Sequence, residues 1–210
     1  MNEDVTDFTT PDRKAKNDGS NRWKDTLSTL LIIILAPIVA LFLVNFVFQS
    51  YQVDGPSMET TLQNGDRLIV TKTGKTWSKI TGKDYVPKRY EIIIFNLKGD
   101  INSGAANEKQ LVKRVIGLPG DRVVVKDGVV TVFNSEFPDG HLIDQDGPEK
   151  FAITTTTGEI DEVVPIGSVY VMGDNRNNSL DSRAFGPVPS HDIVGMLKFR
   201  IYPFDKVDKY

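Results

Sequence analysis

Gly55-Pro56-Ser57-Met58-Glu59-Thr60-Thr61-Leu62 places a hydroxyl in a Gly-Pro turn a few residues after a long apolar run ends. A serine hydroxyl is a poor nucleophile until a base takes its proton. Alone, the octapeptide reads as a turn, because Gly and Pro bend the chain and Ser bonds locally within bends. The usual base is histidine. His141 lies in a Pro-Asp-Gly-His turn and His191 close to the last strand, neither in a recognisable triad setting, although triads are defined by geometry and not by order. The remaining base is lysine, in a Ser-Lys dyad. A free lysine, with a pKa of about 10.4, is charged at neutral pH, but apolar burial lowers that value by up to about 3–5 units. Such a lysine belongs on an apolar strand, and Lys113 in Leu111-Val112-Lys113-Arg114-Val115-Ile116-Gly117 meets that condition. Alternation puts Leu111, Lys113 and Val115 on one face and Val112, Arg114 and Ile116 on the other, without saying which face points inward. Arg114, on the opposite face, is expected to tolerate replacement by lysine. Read alone, Lys113 is an ordinary solvated strand lysine.

A third stretch, Gly173-Asp174-Asn175-Arg176-Asn177-Asn178-Ser179-Leu180-Asp181-Ser182-Arg183, is dense in donors and acceptors. By itself it is an Asx-rich loop. Its composition also suits a network that orients a catalytic group.

These stretches need elements to hold them. Residues 1–24 are polar and unable to bury a core, which predicts a disordered tail. The apolar run from Leu27 to Phe48 then predicts a membrane span within 25–49, since about 20 helical residues cross a hydrocarbon core of about 30 Å. Pro37 within it argues against a soluble core helix and is tolerated in membrane helices. The run exceeds a usual cleaved signal sequence and lacks a small-x-small site after it, so it reads as an uncleaved anchor. Arg13, Lys14, Lys16, Arg22 and Lys24 precede it and only Arg67 and Lys72 follow closely. The positive-inside rule therefore predicts one span, a cytoplasmic N-terminus and an extracytoplasmic domain over 50–210. Phe48 and Tyr51 are expected at the membrane interface.

Beyond the anchor, period-two runs predict strands at 67–70, 91–96, 111–116, 122–125, 129–133, 168–172 and 193–201. Asp127-Gly128 between two of them predicts a two-residue hairpin turn. The segments 74–88, 98–108 and 134–149 read as loops, and no soluble helix is expected. The fold class is mainly β: a transmembrane helix followed by an antiparallel sheet, coiled or barrel-like to protect its edges. Net charge is −3 with both signs interspersed, which leaves no nucleic-acid footprint. The absence of cysteine excludes disulfides, thiolate zinc sites and cysteine nucleophiles. No metal or cofactor is assigned.

Taken together the motifs resemble the bacterial type I signal peptidases, a serine-lysine dyad family. Ser57-Met58-Glu59-Thr60-Thr61-Leu62 is similar to the nucleophile motif, and Gly65-Asp66-Arg67-Leu68-Ile69-Val70 to the strand that follows it. Lys113 to Asp121 is similar to the general-base motif, and Gly173 to Arg183 to the last motif. The resemblance implies Ser57 as nucleophile, Lys113 as general base, and Ser179 holding the lysine amine with Asp181 and Arg183 in support. It places oxyanion donors at the Ser57 N–H and at the position of Gly55, where no hydroxyl is available, and Met58 near the substrate. The family usually has Pro where Thr60 stands, which should loosen that turn slightly. The implied activity is removal of signal peptides from exported preproteins after a small-x-small sequence. Its partners would be signal peptides and the bilayer, with secretion machinery nearby. Two rivals are a self-cleaving repressor-type peptidase, disfavoured by the anchor, and a non-catalytic tethered β domain or degenerate peptidase.

Overall fold

The structure, a computed structural model, describes residues 19–42, 47–82, 85–97, 109–146 and 155–210. It divides into two units, residues 1–41 and 42–210.

Helix α1, Gly19–Phe42, with Pro37 inside it, lies in the first unit except for its last residue. Its described side chains, from Trp23 onward, are exposed on every side. The part from Trp23 to Phe42 is long and apolar enough to cross a membrane. A helix satisfies its own backbone polar groups, which hydrocarbon cannot do for it. α1 is thus compatible with a membrane anchor. It takes in the last residues of the polar segment and ends before Phe48, which belongs to a strand of the second unit.

The second unit is mainly β. Its elements in order are β1 (Phe48–Gln52), β2 (Arg67–Thr71), α2 (Thr73–Thr81), β3 (Ile92–Leu97), β4 (Lys109–Gly117), β5 (Arg122–Lys126) and β6 (Val129–Phe133). There follow β7 (His141–Leu142), α3 (Ile143–Asp146), β8 (Ile160–Val163), β9 (Ser168–Met172), α4 (Ser182–Phe185), β10 (Val188–Pro189), β11 (Ile193–Tyr202) and β12 (Asp208–Lys209). One sheet has the order β1-β2-β11-β3-β4-β9-β10, with β12 paired to β11, and a smaller one has the order β7-β6-β5-β8. All described pairings are antiparallel. Among the described residues the large sheet runs as a path from β1 to β10.

All seven predicted strands form. Asp127 and Gly128 both take positive φ, 51° and 80°, so the β5–β6 hairpin closes as its sequence predicts. The expectation of no soluble helix is corrected. α2 forms inside the segment read as a loop and is ended by Gly82, whose φ of 69° lets its N–H reach the Ser78 carbonyl. α3 and α4 are single turns, too short to show helical periodicity.

Strand β4 positions the chemistry because it lies between β3 and β9, with Lys113 opposite Ile93 and Arg114 opposite both Ile92 and Met172. Val115 enters a core with Ile93, Phe95, Val169, Val171 and Ile193. Ile116 enters another with Val123, Val132, Tyr170 and Met172. Both faces of the strand are therefore covered.

Candidate active site

Ser57 sits on a tight turn pinned on both sides. Gly55 has φ of 94°, a conformation glycine adopts freely, and its N–H donates to Asn64 Oδ1 at 2.9 Å. After the serine, Glu59 N–H donates to the Pro56 carbonyl and Leu62 N–H to the Met58 carbonyl. Met58 and Leu62 drop fully into a core with Val53, Leu68, Ile92 and Leu197. This anchoring leaves the Ser57 side chain in a cleft of about 400 Å³. Residues 51–57 form one wall, 109–113 another, and Leu68, Ile94 and Leu180 complete it.

Lys113 reaches the same cleft from β4. Its Nζ lies 2.7 Å from Ser57 Oγ and donates to the Val112 carbonyl at 2.9 Å. Only 2% of the residue is exposed. Burial lowers its pKa to about 8; the Asp181 and Asp174 charges oppose that shift and Lys109 adds slightly to it. The arrangement lets a neutral amine accept a hydroxyl proton close to neutral pH, which is what a serine needs to attack a carbonyl.

Alternation left one of the two adjacent cations free to face solvent, yet both are buried. Arg114 is 4% exposed and joins Asp174 through two bonds of 2.8 and 2.6 Å. It also donates to the Tyr90 carbonyl at 2.9 Å and to Thr61 Oγ1 at 3.4 Å. A lysine at this position would lack the bidentate fork that Arg114 offers that carboxylate.

The polar loop 173–183 wraps the serine turn. Asn175 N–H donates to the Ser57 carbonyl at 3.1 Å, and Asn175 Nδ2 to the Pro56 carbonyl at 3.1 Å. Asp181, fully buried, accepts from Gly173 N–H at 3.1 Å and from Arg183 Nε and Nη2 at 2.8 Å each. Arg183 also donates to the Arg176 and Thr157 carbonyls. Arg176 pairs with Asp144 at 2.7 Å. Asn175, Asp174 and Gly173 were visible in the sequence only as members of a polar loop.

Three expected placements differ. Ser179 Oγ is buried but makes no hydrogen bond, so the contact to Lys113 implied by the resemblance does not form. It packs instead against Gly173, where a Cβ would overlap both Ser179 Oγ and the Ser57 carbonyl oxygen. Met58 is core and does not line the cleft, since the turn that exposes Ser57 turns the next side chain inward. The Gly55 N–H is spent on Asn64, whereas the Ser57 N–H donates no bond among the described residues and remains available. Tyr51 lines the cleft with its hydroxyl buried, and Phe48 is the more exposed of the two aromatic residues expected at an interface. No group of His, Asp and Glu among the described residues has the arrangement of a metal site. His141 stacks on Phe137 and bonds the Tyr90 hydroxyl at 2.9 Å, and His191 lies beside Asp192.

The comparisons define first a class, the serine peptidases. A family profile described as signal peptidase, peptidase S26, matches residues 26–202. The signal peptidase I of Bacillus caldolyticus is 38% identical over 167 residues, covering 76% of this chain and 82% of its own length. The signal peptidase I T of Bacillus subtilis strain 168 is 35% identical over 178 residues, covering 83% and 84%. A solved signal peptidase I from Enterococcus faecalis V583 is 26% identical, covers 53% of this chain and 97% of its own, and superposes with a TM-score of 0.39. The chain belongs to the signal peptidase family, peptidase S26, whose work is the removal of signal peptides.

Proposed function

We propose that the chain cleaves exported preproteins with a Ser57–Lys113 dyad, after a small-x-small sequence. One observation carries this reading: a buried lysine amine lies 2.7 Å from Ser57 Oγ, the one serine among the described residues that lines the cleft. Neutral Lys113 takes the Ser57 proton as Oγ attacks the scissile carbonyl. The Ser57 N–H meets the developing oxyanion, where preorganised donors contribute heavily to acyl transfer. The protonated lysine then gives its proton to the leaving amine, and a water deprotonated by the same group clears the acyl-enzyme. Asp181 and Arg183 fix the loop that carries Ser179 and Asn175 against the serine turn.

The anchor supports a single-pass topology with the N-terminus in the cytoplasm and the catalytic unit outside. Tethering confines the site to the surface where signal peptides emerge and raises their effective concentration. Purified full-length protein is expected to cut a preprotein at its signal-peptide boundary and Ser57→Ala to leave it intact. Equal cleavage by the variant removes Ser57 from the chemistry. Protease added outside intact cells or protoplasts should digest the domain and spare the tail. A protected domain reverses the topology.

A further inference from the structure

The turn that carries Ser57 is also held on a side away from the cleft, by residues the proposed chemistry does not use. Thr61 is 3% exposed, and its carbonyl accepts two hydrogen bonds, from Arg200 Nη1 at 2.9 Å and from the Tyr210 hydroxyl at 3.3 Å. Arg200 comes from β11, where it pairs with Leu68 of β2 and with Asp208 of β12. Its Nε donates to the Lys206 carbonyl at 2.7 Å, and its Nη1 also lies 3.3 Å from Asp66 Oδ2. Asp66 Oδ2 in turn accepts from the Gln63 N–H at 2.9 Å. One guanidinium thus ties the segment 61–66 to β11. Its carbon lies 5.9 Å from the centre of the Tyr210 ring, which packs on the core that contains Met58 and Leu62. Tyr210 is itself fixed by its N–H, which donates to the Lys198 carbonyl at 3.0 Å. Burial raises its pKa against the pull of the Arg200 charge, so the phenol keeps its proton and donates.

Packing alone does not clamp this side. Thr60 and Thr61 border a cavity of about 300 Å³ that Arg200 and Tyr210 also line, and neither of the latter lines the cleft of Ser57 and Lys113. Beside such a space directional bonds set the backbone, and the charge-assisted bond from Arg200 is the stronger of the two. Between Thr61 and Ser57 the chain bonds to itself, Glu59 N–H to the Pro56 carbonyl and Leu62 N–H to the Met58 carbonyl. A shift at Thr61 is therefore carried to the serine within one turn. We infer that Arg200 is a positioning residue for the cleavage, assisted by Tyr210: by holding the Thr61 carbonyl it fixes the turn that presents Ser57 Oγ to Lys113. The inference rests on the peptidase reading above.

The test measures kcat, KM, melting temperature and the pH profile of kcat/KM for the full-length protein on one preprotein, as wild type, Arg200→Met and Tyr210→Phe. Arg200→Met keeps the stem and removes the guanidinium. It should lower kcat about a hundredfold, the cost of misplacing a reacting group by about 1 Å, and leave KM within about twofold. The midpoint of its pH profile should stay at about 8, as in wild type, because Lys113 remains buried. Tyr210→Phe keeps the ring and loses the weaker bond, so kcat should fall about fivefold. A purely structural role lowers the melting temperatures and leaves kcat of the folded variants at the wild-type value, which overturns the inference. A midpoint displaced towards 10.5 shows that solvent has reached Lys113, and it overturns the inference as well. If Arg200→Met does not fold, Tyr210→Phe decides by kcat and midpoint. If wild type itself leaves the preprotein intact, the peptidase reading fails and the inference falls with it, an outcome distinct from variants that match an active wild type.

Discussion

Two kinds of buried cation flank the serine turn, and they differ in what they face. Arg114, Arg176 and Arg183 each meet a carboxylate, from Asp174, Asp144 and Asp181 respectively. Lys113, beside Arg114 on β4, meets a hydroxyl and a carbonyl and bonds no carboxylate. The charges of Asp181 and Asp174 reach it only through space and do not offset its burial, so its pKa falls to about 8. Paired guanidiniums stay charged and tie the loop 173–183 to the rest of the site. An ammonium buried without such a partner is ready to give up its proton. One strand thus carries, at adjacent positions, a cation locked in an ion pair and the cation proposed as the base.

The sharpest way to break this contrast is to make the lysine resemble its neighbour. Lys113→Arg should reduce kcat/KM at least about a thousandfold, because a guanidinium remains charged at working pH. Wild-type kcat/KM should rise with pH through about 8 and level off above it, since the active form is the neutral amine. A flat profile from pH 6 to 10 assigns the base to another group.

Removing each cation in turn should move stability in opposite directions. Arg114→Met leaves Asp174 buried without its partner and should cost about 3–5 kcal/mol by urea unfolding. Lys113→Met should stabilise instead. The lysine pKa is 10.5 unfolded and about 8 folded, so the unfolded chain binds more protons between those values and wild-type stability rises with pH across that window. Below pH 8 the burden of the buried charge is fully present. The variant should therefore gain up to about 3 kcal/mol at pH 7, and the gain should shrink towards pH 10.5. A gain independent of pH refutes the desolvation account.

Gly173→Ala tests the web from the arginine side. Its new Cβ overlaps Ser179 Oγ and the Ser57 carbonyl, and displacing a catalytic group by about 1 Å costs on the order of a hundredfold in rate. The loss should fall on kcat, with the melting temperature reduced less than by Arg114→Met. The smallest effect belongs to the exposed pair Arg122–Asp161, bonded at 2.5 Å on the small sheet. Arg122→Ala should leave the melting temperature within error, because solvent already screens both charges. A large drop there erases the distinction between buried and exposed pairs.

Much of the framework was legible in local pattern. The apolar run before residue 43, the alternating strands from Arg67 to Tyr202 and the Asp127-Gly128 turn follow from hydrophobic period and φ preference, which neighbouring residues dictate among themselves. The motifs around Ser57, Lys113 and Gly173–Arg183 were readable for the same reason, as residue types in order. Only the tertiary structure decided what those residues touch. Alternation on β4 distinguishes two faces, but both are covered because β3 and β9 carry separate cores against them, so Lys113 and Arg114 are buried together. The same packing draws Met58 inward, spends the Gly55 N–H on Asn64 and brings Tyr51 to the cleft. Ser57 and Lys113 meet across 56 residues of sequence. Such a contact depends on strand order and register, which long-range burial selects and no local spacing encodes.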